Sequence, residues 1–116
     1  MKKLFVLLVS IMSFSANAEV PAGDTSGKVA AVYIENNLSG HDAFKIYFSS
    51  TSSDRWKCIE NDGYIKVRSN GIGVSSDSYK MMFSMAMAAQ ASNKTLTVNS
   101  AGSDPCINAN NTMIHD

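Results

Sequence analysis

Cys58 and Cys106 are the two cysteines of this 116-residue chain, and 47 residues lie between them. Whether they pair depends on compartment, and the N-terminus speaks to that. Lys2 and Lys3 are followed by an apolar run from Leu4 to Met12, interrupted by Ser10 and extended by Phe14. Ala16-Asn17-Ala18 then offers a small-x-small cleavage site, so residues 1–18 read as a secretory signal peptide. The apolar run is shorter than the roughly 20 residues a spanning helix needs. A lipid anchor would need a cysteine at the cleavage point, and Glu19 stands there. An exported chain meets an oxidising compartment, where two thiols allow one intramolecular pairing. A bridge between chains is the alternative. A zinc site would need clustered ligands that two isolated thiols do not supply. In the chain-entropy account a loop of this size stabilises by about 4 kcal/mol.

Cleavage after Ala18 leaves the 98 residues from Glu19 to Asp116, enough for one domain and too few for two useful cores. Without Lys2 and Lys3 the remainder carries 8 basic and 10 acidic side chains. Phosphate backbones demand a basic excess or stripe, so nucleic acid is not the expected partner. No later stretch is apolar enough to span a membrane, so the mature chain is expected to have no integral span.

Residues 19–27 hold Pro21, Gly23, Asp24, Ser26 and Gly27 and read as a flexible lead-in. The domain is expected over 28–116. From Val29 to Ile34 both alternating sets are largely apolar, which predicts a strand covered on both faces, at least in part. Asn36 to Asp42 carries turn chemistry. Phe44, Ile46 and Phe48 alternate with Lys45, Tyr47 and Ser49, predicting a half-buried strand hairpinned to the first. Ser49 to Asp54 reads as a polar loop. Trp56 to Ile59, short, apolar and containing Cys58, is an optional strand, and Tyr64 to Arg68 reads as a third or fourth strand. Ser69 to Val74, with Gly71 and Gly73, reads as a loop.

One helix is expected from about 76 to 92. Ser75, Ser76 and Asp77 offer N-caps, and Tyr79, Met82, Phe83, Ala86, Ala89 and Gln90 recur at helical spacing. Asn93 can end it in a left-handed conformation. Thr95 to Asn99 then alternates as a strand, Ala101 to Pro105 turns, and Ile107 with Thr112 to His115 can form a last strand around an asparagine-rich interruption at 108–111. Strands on both sides of one helix in so short a chain predict an α+β fold: a small curved antiparallel sheet or OB-like barrel with one α-helix and one disulfide.

Candidate chemistry is sparse. His41 and His115 have no ligand partner at i+2 or i+4, so no metal is expected. No Gly-x-Ser-x-Gly or Ser-x-x-Lys motif is present. Gly71-Ile72-Gly73 lacks the remaining residues of a dinucleotide or phosphate loop, so no cofactor is expected. Three Asn-x-Ser/Thr matches, at Asn37, Asn93 and Asn110, read as chance in an Asn/Ser-rich chain behind a bacterial-type signal. The chain is therefore read as non-catalytic. Met81, Met85 and Ala88 form a second apolar line on the helix, displaced from the core line; they either pack inside or meet a partner chain, since methionine suits adaptable contacts. Trp56 and Tyr64 are candidate ligand-stacking residues, against a default in which Trp56 packs beside the bridge.

The segment Ser78-Tyr79-Lys80-Met81-Met82-Phe83-Ser84 through Ala91-Ser92-Asn93-Lys94-Thr95-Leu96-Thr97-Val98, followed by Cys106, is similar to many small exported bacterial proteins of unknown function. Those share Tyr-Lys-x-Met-x-Ser, an alanine-ending helix, a Ser-x-Lys turn, a strand and a late cysteine. More distantly, the order of elements resembles the B subunits of AB5 toxins, which are secreted, disulfide-closed OB-like barrels with one helix. Cholera-type B subunits carry a sugar-stacking Trp shortly after the second cysteine. Here Cys106 leads into Ile107-Asn108-Ala109-Asn110-Asn111, and Cys58 lies mid-chain, so that mode of galactose recognition does not carry over. The reading is a secreted or periplasmic binding protein, an oligomeric module for a glycan or a protein. The alternatives are a monomeric periplasmic inhibitor or accessory protein acting on another exported protein, and thirdly a small hydrolase.

Overall fold

A computed structural model describes residues 23–38 and 40–116. The expected signal peptide and the first residues of the expected lead-in lie outside the described residues. The elements run β1 (Thr25–Leu38), β2 (His41–Asp54), α1 (Cys58–Asn61), β3 (Tyr64–Arg68), α2 (Ser76–Ser92), β4 (Thr95–Ser100), a 3₁₀ turn (Pro105–Ile107) and β5 (Ala109–His115). The strands form one antiparallel sheet in the order β3-β2-β1-β4-β5. The fold is α+β, with a curved open sheet, one main helix and the Cys58–Cys106 disulfide. With the helix between β3 and β4, this order is compatible with an OB-like barrel left open between β3 and β5.

Helix α2 occupies the expected residues because its ends are specified locally. The Ser75 hydroxyl accepts from the Ser78 N–H, and the Ser78 hydroxyl accepts from the Ser75 N–H, a reciprocal capping box. Asn93, at φ 54°, closes the other end with its N–H bonded to the last turn. Met82, Ala86 and Ala89 are buried on the sheet, with Tyr79 and Phe83 partly so. They meet Phe44, Ile46, Ile65, Val67, Leu96 and Val98, the inward-facing alternate residues of β2, β3 and β4.

Four expectations need correction. The flexible lead-in does not extend to residue 27: β1 begins at Thr25, and Asp24, Thr25 and Ser26 are buried. Their polarity concealed this. Ser26 and Thr97 share a hydroxyl hydrogen bond of 2.6 Å, Thr25 Oγ1 donates to Asp54, and the Asp24 carboxylate accepts the Ser100 N–H at 2.7 Å. Gly27 is needed because a Cβ there would run into the Ser50 carbonyl. Ser49 to Asp54 is not a loop. It continues β2, pairing Ser50 with Lys28 and Asp54 with Thr25.

The stretch after Trp56 makes one helical turn, not a strand. Lys57 turns the chain at φ 59°, and the Asp54 carboxylate accepts the N–H groups of Cys58, Ile59 and Glu60 at 2.9, 3.0 and 3.2 Å. The cover of β1 on both faces is partial, as its pattern allowed. Tyr33 and Ile34 are 59% and 52% exposed, because the outer half of the β1–β2 hairpin extends past the end of β4. The last strand also takes in Ala109 to Asn111, which had read as an interruption.

The disulfide joins α1 to the 3₁₀ turn, with Cα atoms 5.4 Å apart. It ties the β2–β3 connection to the β4–β5 connection across the open seam. Arg68 closes the same seam from β3: its Nε donates to the Ile107 carbonyl at 3.0 Å and its terminal nitrogen to Asn108 Oδ1 at 2.7 Å.

Candidate functional site

Pairing of β1 with β4 ends at Lys28 opposite Thr95, whereas pairing with β2 runs on to Leu38 opposite His41. The outer half of the hairpin therefore has two faces of its own. On the inner face Ile34 lies across from Phe44, which pairs onward with Val67. The first turns of α2 pass over this face. Tyr79 and Phe83 pack their rings on Phe44 at centroid distances of 5.4 and 5.3 Å, tilted by 59° and 78°. These are favourable edge-on geometries. Phe44 is fully buried, so it holds both rings in fixed orientations.

Beyond these rings lies a cleft of about 300 Å³, at the small end of ligand pockets, which span roughly 300–1,000 Å³. Ile34, Tyr79 and Phe83 supply apolar lining; Asn36, Asp42, Lys80 and Ser84 supply polar lining. The Asp42 backbone is held to β3, its N–H donating to Ser69 Oγ at 3.0 Å and its carbonyl accepting the Ser69 N–H at 2.8 Å. Burial, aided by the charge of Asp42, raises the pKa of Tyr79. Its phenol thus stays protonated and can donate or accept a hydrogen bond. An amide, a carboxylate, an ammonium and two hydroxyls border an apolar wall, so the cleft can satisfy donors and acceptors on one compact ligand.

The outer face carries a different group. Glu35 accepts Lys45 at 2.7 Å and Lys66 at 3.4 Å. Lys45 also lies 4.6 Å from the Tyr64 ring centre and 5.9 Å from that of Tyr33, and Tyr64 packs against Tyr47 at 5.6 Å. The hydrogen bond from Lys45 is the main reason the Glu35 pKa lies below its ordinary value of 4.5, and Glu35 in turn raises that of Lys45. A depressed carboxylate pKa adds stability that is complete above the unfolded value and is lost as pH falls through the folded one. Glu35→Gln should therefore be less stable at neutral pH, by about 1 kcal/mol, the upper end for ion pairs on a protein surface, since both side chains are half-buried. It should also lose less stability than the parent when acidified below pH 4.5. Urea titrations at several pH values check this; parallel pH curves for the two proteins would contradict it.

The structure separates the two residues read as stacking candidates. Tyr64 is half-buried on the outer face, beneath Lys45. Trp56 is 44% exposed beyond the other end of β2, with the Arg55 guanidinium 4.8 Å from its ring centre. Neither lines the cleft. The line of Met81, Met85 and Ala88 also divides. Met81 and Ala88 are exposed, whereas Met85 is half-buried and receives a contact from Thr112 Oγ1 at 3.2 Å. Sequence reasoning placed Tyr79 and Phe83 in the core, Ile34 in a covered strand and Asp42 in a turn. It did not single out Lys80 or Ser84. No spacing rule brings a hairpin tip to the start of a helix, so no sequence signal marked them as one site.

His115 Nε2 lies 2.8 Å from Thr97 Oγ1 and extends the buried Ser26–Thr97 hydrogen bond; this is a structural chain on the other half of the sheet. Among the described residues, no group of three or more His, Cys, Asp or Glu is placed to hold a metal ion, and no helix is long and apolar enough to cross a membrane.

No protein-family model, curated protein or solved structure matches this chain.

Proposed function

We propose that this chain is an exported, non-catalytic binding protein that takes a glycan residue into the cleft between the β1–β2 hairpin and α2. The observation that carries the reading is the pairing of a held aromatic wall with a mixed polar border. Tyr79 and Phe83 are set by Phe44, and Asn36, Asp42, Lys80 and Ser84 surround them. A sugar ring has an apolar face that packs on an aromatic side chain and hydroxyls that both donate and accept. The size of the cleft suits one such ring with the rest of the glycan in solvent. Export rests on the N-terminal pattern and accords with the disulfide.

A glycan array probed with the mature protein, followed by calorimetry with the best sugar, tests this reading. Lys80 and Ser84 are exposed, so Lys80→Ala and Ser84→Trp should leave the fold intact. The first removes a donor and the second fills the cleft, and each should weaken binding at least tenfold. An array without signal, or binding unchanged in both variants, would overturn the proposal. A tight exported protein partner in place of a sugar would favour the inhibitor or accessory reading.

A further inference from the structure

We infer that two copies of this chain pair edge to edge along the outer half of β1, residues 31–38, through a two-fold axis that joins their sheets. The inference rests on the strand edge; Ile34 and Asn36 of this stretch also line the cleft. β1 is hydrogen-bonded to β2 along its length, but β4 covers its other edge only from Thr25 to Lys28. Beyond that, the Gln90 side chain donates to the Ala30 carbonyl at 2.7 Å. Among the described residues, no further backbone partner reaches that edge. Alternate residues of this eight-residue stretch, which spans roughly 27 Å in extended form, thus present unpaired N–H and C=O groups.

Exposed edges are ordinarily protected by proline, lysine, inward-pointing charge, shortness or a covering loop. Residues 31–38, Ala-Val-Tyr-Ile-Glu-Asn-Asn-Leu, contain neither proline nor lysine. The bulge between Val29 and Ala31 lies before the free stretch, and the register breaks again between Glu35 and Leu38, which leaves Ala31 to Glu35 as its regular part. Tyr33 and Ile34, two of the large apolar side chains most open to solvent, sit at its centre, one on each face of the hairpin. A regular edge from Ala31 to Glu35 with apolar groups at its middle suits a strand partner.

The occupant is a second copy because the segment is complementary to itself. Antiparallel pairing about a dyad normal to the sheet sets outer-face residues opposite outer-face residues. Centred on Tyr33, the middle of the regular part, it places Glu35, the one charged residue of the segment, opposite Ala31 of the other copy. No like charges meet, and Glu35 keeps its own Lys45 and Lys66. The same axis covers Tyr33 and Ile34 of both copies at once. The edges of β3 and β5 are a poorer match, since Arg68 and the disulfide draw the β3 and β5 sides together.

Light scattering on the purified mature protein over a concentration series tests the association, with hydrogen exchange at the same concentrations locating it. The expected result is twice the chain mass at high concentration, with at least tenfold slower exchange of amides within 31–38 in the associated form. Tyr33→Lys puts a charge beside its own symmetry mate on an exposed position, and should weaken association at least tenfold with the melting temperature of the dilute protein unchanged. Lys80→Ala, which tests the cleft, should leave association as it is. A monomer at every concentration, a mass other than twice the chain, or association without added protection at 31–38 would each overturn the inference.

Discussion

Replacing Cys58 and Cys106 together with alanine is expected to lower the stability of the mature domain by about 2–5 kcal/mol, the range for native bridges in small secreted domains. The bond acts in both states. In the unfolded chain it removes the freedom of a loop between residues 48 apart in sequence. In the folded chain it joins α1 to the turn that starts β5, where the sheet has no ladder of its own between β3 and β5. With the bridge gone, the two Arg68 hydrogen bonds to Ile107 and Asn108 are left to hold that seam. A domain of this size has a net stability of only about 5–15 kcal/mol, so the loss is a large share. Urea unfolding of the double variant against the oxidised parent checks it, and reduction of the parent by a thiol should reproduce the shift. A change below about 1 kcal/mol would mean that the seam is held by packing alone.

Phe44→Ala should be comparably costly, about 3–5 kcal/mol. Phe44 is fully buried between the β3 neighbours of its own sheet and the rings of Tyr79 and Phe83. Truncation removes the transfer energy of a phenyl ring and leaves a cavity that the two aromatic residues can only partly fill. The same residue sets the cleft, so the variant should lose the proposed sugar binding even below its unfolding temperature. Phe44→Leu restores much of the volume without the edge-on contacts, and should recover more stability than binding. Chemical denaturation of the three proteins, read beside their sugar affinities, tests both parts. Equal stability of Phe44→Ala and the parent would remove Phe44 from the centre of the core.

The elements readable from sequence are those whose determinants lie within a few residues. Helix α2 has its capping box at Ser75 and Ser78, its left-handed stop at Asn93, and an apolar line through Met82, Ala86 and Ala89. β3 alternates simply, with Ile65 and Val67 inward. The pairing of Cys58 with Cys106 followed from their number and the expected export. In each case the information is local or combinatorial, and no knowledge of distant neighbours is required.

Elsewhere, distant neighbours decided. Thr25 and Ser26 look like a polar lead-in until Asp54 and Thr97 satisfy their hydroxyls and make burial affordable. Ser49 to Asp54 becomes strand only because Thr25 to Lys28 lies beside it. The turn at Cys58 forms because the Asp54 carboxylate reaches three backbone N–H groups. The cleft belongs to this second kind as well. Ile34 and Tyr79 are 45 residues apart in the sequence, and their apolar pattern says only that each seeks cover. Patterning fixes which face of a strand or helix turns inward, because side-chain direction repeats with the local backbone period. How far one element extends past another depends on relative lengths and register, and in this protein that overhang creates both the cleft and the open edge of β1.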